Sequence, residues 1–149
     1  MLLNKGTATS LGMVHSAGAI AAADPTMLTH LLLPMTIHFG WTSAATLVNL
    51  NGSLASDESA SPRSLIGLGN ASALAASALG VGLTLSQSAP AYGLTLAWAL
   101  AACADGMSKR IPSSKAGEEE ILAKASVVQK NLCWAGSFAC AVAAASVLL

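Results

Sequence analysis

Residues 31–54 read LLLPMTIHFGWTSAATLVNLNGSL, and the rest of the chain is organised around this stretch. It is long enough for a helix and holds no Asp, Glu, Lys or Arg; the uncharged run extends from Pro25 to Ser56. A helix on the surface of a soluble protein carries a charged outer face. This one has none, so the face turned away from its own core is expected to meet lipid or another protein. At 3.6 residues per turn, His38, Ala45 and Asn49 fall within about 20° of one another, with Trp41 about 60° to one side. One face therefore presents an imidazole, an indole, a small gap and a carboxamide, the leading candidate for a functional surface.

Composition places this stretch in its class. Apolar residues make up 54% of the 149 and charged residues only 9%, with mean hydropathy +0.62, against roughly one-quarter charged in soluble domains. At ~20 apolar residues per crossing, the reading is an all-α integral membrane bundle: a single domain of four transmembrane helices. The spans are expected at about 26–50, 64–86, 90–106 and 127–149, with polar loops at 51–63 and 107–126. Asp24-Pro25 marks the first start, and Pro34 inside that helix predicts a kink near His30. Asn51-Gly52-Ser53 reads as its stop. The short connection Gln87 to Pro90 forces an antiparallel hairpin, and Asp105-Gly106 closes the third helix. Residues 11–23 form a weak apolar segment, too short to span alone, which stands as a candidate fifth crossing. The N-terminal region, with one lysine and an Ala-rich run, has features of a targeting remnant but is read as part of the working protein.

Charge sets orientation and excludes one class of function. With four crossings, Arg63, Lys109, Arg110, Lys115, Lys124 and Lys130 share one side and Lys5 lies opposite. The positive-inside rule puts that side in the cytoplasm, stroma or matrix. Net charge is zero and no basic tract is long enough to follow a phosphate backbone, so nucleic acid is not an expected partner.

Few side chains carry chemistry, and each has a plainer reading beside it. A neutral imidazole in a membrane helix can ligate a metal or the central ion of a tetrapyrrole. His30 and His38 point about 80° apart, so they do not serve one ion; for His38 the alternative is a hydrogen bond to a neighbouring helix. Asn49, Asn51 and Asn70 must pair with something at membrane depth, by interhelical bonding or by ligand contact. Cys103, Cys133 and Cys140 lack C-x-x-C spacing and read as small packing residues. Asp105, beside Gly106, Lys109 and Arg110, reads as a solvated helix end. No serine has a His and an acid placed to activate it, so no catalytic constellation emerges and the chain is read as a non-enzyme. Small residues spaced by four, Ser72, Ala76 and Gly80 in one helix and Gly136, Cys140 and Ala144 in another, predict close helix contact.

Two runs, PMTIHFGWTSAATLVNLNGSLA and APAYGLTLAWALAACA, resemble the tryptophan-rich sensory protein (TspO/MBR, translocator protein) relatives of algae and bacteria. The match covers residues 34–54 and 89–102, and rests on Gly40-Trp41, Ala45-Thr46, Pro90-Ala91-Tyr92 and Ala97-Trp98-Ala99. The resemblance implies an all-helical membrane protein with relatives that bind porphyrins and other flat hydrophobic ligands, with Trp41, Tyr92 and Trp98 as the corresponding aromatics. The family's earlier helices are reduced here to the weak segment before Asp24, so this chain resembles a truncated member.

Together these readings give two expectations. The first is a non-catalytic accessory subunit of a larger membrane complex, of photosynthetic type in a thylakoid, with other membrane subunits and lipids as partners and chlorophyll or carotenoid in contact. The second is a free-standing binder of a porphyrin or another hydrophobic ligand. In both, the cofactor-binding candidates are His38, Trp41, Asn49, His30, Tyr92 and Trp98, with no metal site and no catalytic residue.

Overall fold

A computed structural model describes residues 32–110 and 118–149, and within them the chain is all-helical. Four helices follow in order: α1 (Leu33–Ala55), α2 (Pro62–Gln87), α3 (Pro90–Arg110) and α4 (Glu118–Leu148). Two segments, Pro62–Gln87 and Lys124–Leu148, are long and apolar enough to cross a membrane. Polar groups such as His38, Asn49 and Asn51 dilute α1, and the charged end from Asp105 to Arg110 dilutes α3.

The helix ends follow local chemistry, with three departures from the expected boundaries, one being that Asp105-Gly106 does not close α3, which continues to Arg110 with Ser108 Oγ donating to the Ala104 carbonyl at 3.1 Å. Pro34 falls in the first turn of α1, where a missing N–H costs nothing; the expected kink near His30, and His30 itself, lie outside the described residues. Asn51-Gly52-Ser53 does not stop α1, which continues to Ala55. The reason is that Asn51 turns its side chain into the bundle, donating from Nδ2 to the Leu47 carbonyl and to Ser72 Oγ, both at 2.7 Å. The turn that follows is closed by Asp57, whose Oδ1 accepts the Ser59 hydroxyl (2.7 Å) and backbone N–H (2.9 Å). Those bonds hold the exposed Asp57 carboxyl below its ordinary pKa. At the other end of the chain, α4 begins at Glu118, well ahead of the expected 127, so the acidic run lies in the helix rather than in a loop.

Ser61 caps α2, its Oγ accepting the Ser64 N–H at 3.2 Å, with Pro62 in the first turn. A Ser61→Ala change is expected to lower unfolding free energy by about 1 kcal/mol, read from thermal melts followed by circular dichroism in detergent. The α2–α3 turn is tight: Ser88 takes a left-handed conformation (φ 49°) and Ala89 N–H returns to the Thr84 carbonyl at 3.1 Å.

The three helices α2, α3 and α4 form the tightly packed body, and glycines set their spacing. A Cβ on Gly80 would strike Cys140 Sγ, one on Gly136 would strike Ser77 Oγ, and one on Gly93 would strike Thr84 Oγ1. The small-residue faces read from the sequence are thus consumed against each other inside the chain. Across the antiparallel α3–α4 pair, Ser137 Oγ donates to the Ala97 carbonyl at 2.8 Å. The core is built from Ala73, Ala76, Leu96, Leu100, Ala104, Cys133 and Cys140. Helix α1 lies in the notch between α2 and α3 and makes almost no contact with α4.

Candidate ligand groove

The α1–α3 seam is closed at one end and open at the other, and the residues along it explain why. Near the start of both helices Gly40 lets α1 approach so closely that a Cβ there would sit 2.9 Å from Thr95 Cβ. Phe39 and Tyr92 pack across this contact with ring centroids 5.1 Å apart, and the buried Tyr92 hydroxyl donates to Ser43 Oγ at 3.2 Å. Further along, the Asn51–Ser72 bond ties α1 to α2, and α1 departs from α3. The result is an open groove of about 610 Å³, within the range of ~300–1,000 Å³ usual for small-molecule sites.

Its walls are Ala44, Leu47 and Val48 of α1 against Ala99, Ala102 and Cys103 of α3. Ser72, Ala73 and Ala76 of α2, with Gln129 and Cys133 of α4, form the floor. The surroundings are apolar apart from a few groups that can fix an orientation: the amides of Asn51 and Gln129 and the Ser72 hydroxyl. Gly69 makes room for the Gln129 amide, because a Cβ there would lie 2.6 Å from Gln129 Nε2. Replacing Asn51 by Leu is expected to release α1 from α2, lowering stability by about 1–3 kcal/mol as Ser72 loses its buried partner. Thermal melts of Asn51→Leu alone and with Ser72→Ala check this, since the second change should add little.

A tryptophan pair stands on this seam. Trp41 and Trp98 are half-exposed, at 50% and 61%, with ring centroids 5.7 Å apart and planes tilted by 40°. Each lies one helical turn before a wall residue on the same helix face: Trp41 before Ala44, and Trp98 before Ala102. The pair itself does not line the groove; it stands next to it on the α1–α3 seam.

The residues singled out from the sequence part company here. Trp41 and Trp98 come together, and Tyr92 lies behind them as a buried seam residue, 1% exposed. His38 and Asn49 share a face as helix geometry requires, but that face turns outward and both are exposed. Among the described residues neither has a hydrogen bond to a neighbouring helix, so the interhelical bond expected as the plain role of His38 is not made. Asn51 does make the interhelical bond expected of it; Asn70 Oδ1 is buried with no partner among the described residues. Sequence reasoning missed the floor: Ser72, Gln129 and Cys133 come from two other helices, and no local spacing announces that they meet. The three cysteines are free thiols, and no group of three or more His, Cys, Asp or Glu that could hold a metal occurs among the described residues.

The fold and site define a helical bundle with a lateral, mostly apolar groove and a pair of indoles on the same seam. No family model, curated protein or solved structure matches the chain.

Proposed function

We propose that this chain is a non-catalytic, membrane-integral protein whose four helices all cross the bilayer, and that it holds a flat hydrophobic ligand of tetrapyrrole type in the α1–α3 groove. The observation that carries the reading is the mostly apolar groove between α1 and α3, with the Trp41–Trp98 pair on the same seam one helical turn from its Ala44 and Ala102 walls. In lipid there is no hydrophobic gain on moving a ligand between acyl chains and an apolar pocket. Affinity there has to come from packing and oriented polar contacts. Aromatic stacking of about 0.5–1.5 kcal/mol per pair, together with the amides of Asn51 and Gln129, supplies both. The resemblance of the Trp41 and Trp98 motifs to the tryptophan-rich sensory proteins points to the same ligand class. Arg63, Lys124 and Lys130 lie at the end of the bundle toward which the groove runs from the Gly40–Thr95 contact, which by the positive-inside rule faces cytoplasm, stroma or matrix. Gel filtration of the purified protein with protoporphyrin IX in micelles tests the reading: near-stoichiometric porphyrin should travel with the protein, and porphyrin left wholly with empty micelles removes it.

A second reading, an accessory subunit of a larger membrane assembly such as a photosynthetic complex, is favoured by the outer face of α1. There His38 and Asn49 are exposed along one stripe of an uncharged helix. Polar groups left unpaired in hydrocarbon cost several kcal/mol, and a neighbouring subunit would supply partners. A double change, His38→Leu with Asn49→Leu, should then release the protein from its complex on native gels without affecting porphyrin retention. An unchanged complex would eliminate this face as the interface.

A further inference from the structure

Three sulfur-bearing side chains line the groove, and their placement follows from helix geometry. Cys103 and Met107 are one turn apart on α3 and so share a face; Cys133 comes from α4, and all three line the groove. The antiparallel register is fixed by Ser137 Oγ on the Ala97 carbonyl and by Gly136 against Leu100, whose Cδ1 would lie 3.2 Å from a Cβ there. One turn further, this register sets Cys133 level with the stretch leading to Cys103. Side chains on a helix tilt toward its N-terminus. Cys133 therefore leans toward the level of Met107, and Met107 leans back toward Cys103.

We propose that Cys103, Met107 and Cys133 form a three-sulfur site for a soft monovalent cation, copper(I), in the groove. Thiolate and thioether donors select soft ions, and the set lacks the fourth ligand that a structural zinc site requires. Charge points the same way. Entry of Cu⁺ displaces one thiol proton to solvent and leaves a neutral copper–thiolate unit, to which the second cysteine sulfur and the Met107 thioether donate. No electron changes hands. A neutral unit suits an apolar groove, where a net charge is costly.

The test uses the full chain in detergent micelles, without porphyrin, so its failure is separate from failure of the ligand reading. Copper reduced with ascorbate is presented under argon as its bathocuproine disulfonate complex. Wild-type protein should withdraw one equivalent. Cys103→Ser and Cys133→Ser should each weaken binding at least about tenfold, the loss that even outer-shell changes bring. Met107→Leu should weaken it less, and Cys140→Ser, which alters the buried α2–α4 contact instead, should bind as wild type. X-ray absorption at the copper edge of the wild-type protein gives a readout that needs no variant, and a sulfur-only shell is expected. Copper left with the chelator, cysteine variants that bind as tightly as wild type, a nitrogen or oxygen shell, or displacement of the copper by equimolar Zn²⁺ would each overturn the proposal.

Discussion

Gly136→Ala should destabilise the protein by about 1–3 kcal/mol, the usual range for overpacking, although the same change on an open helix face should stabilise it. The new methyl would fall on Ser77 Oγ, with Ser77 Cβ at 3.1 Å and Leu100 Cδ1 at 3.2 Å. Ser77 is itself anchored by its 2.7 Å bond to the Ala73 carbonyl, so yielding means losing that bond. Gly80→Ala meets Cys140 and should behave in the same way. By contrast, Gly67 and Gly82, in the same helix as Gly80, have nothing within 4 Å. Alanine there should add about 0.5–1 kcal/mol through backbone entropy alone. Thermal melts of the four single variants in one detergent would show the split in sign. Four changes of equal sign would mean that α2 and α4 do not meet along these glycines.

Ala99→Phe should abolish porphyrin retention while leaving the melting temperature close to that of wild type. Ala99 lines the groove from α3 and is only partly buried, so a phenyl ring there can occupy the groove without entering the α2–α3–α4 core. A loss of more than tenfold, equivalent to more than about 1.4 kcal/mol, is expected because ring and ligand claim the same volume. Ala102→Phe, one turn further along the same wall, should act in the same direction. Porphyrin comigration in gel filtration is the measurement, with the melt of each variant as the check on folding.

What the sequence could and could not disclose divides along the range of the interactions. Local chemistry marks helix ends where the chain itself satisfies them: Ser61-Pro62 opening α2, and the turn from Gln87 to Pro90. It fails at Asn51-Gly52-Ser53, because the partner that keeps Asn51 helical is Ser72 on another helix. The same limit applies to the site. Periodicity places His38, Ala45 and Asn49 on one face but says nothing about whether that face turns inward; Gly40, which draws the neighbouring face onto Thr95, turns it outward. The two tryptophans carry motif signals strong enough to be singled out separately, and their contact depends on α1 and α3 running parallel in one register. The groove floor has no local signature at all, being assembled from α2 and α4 residues that are small, or polar without periodicity.

The most direct test of the groove as a ligand site is fluorescence titration of a Trp134→Phe protein with protoporphyrin IX. The chain has three tryptophans, so this background leaves Trp41 and Trp98 as the only indole reporters, each one helical turn from a residue that lines the groove. Quenching should be deep and should saturate near one equivalent of porphyrin. Quenching that rises linearly without saturation, or that is identical when Ala99→Phe is added, would contradict a ligand held between α1 and α3.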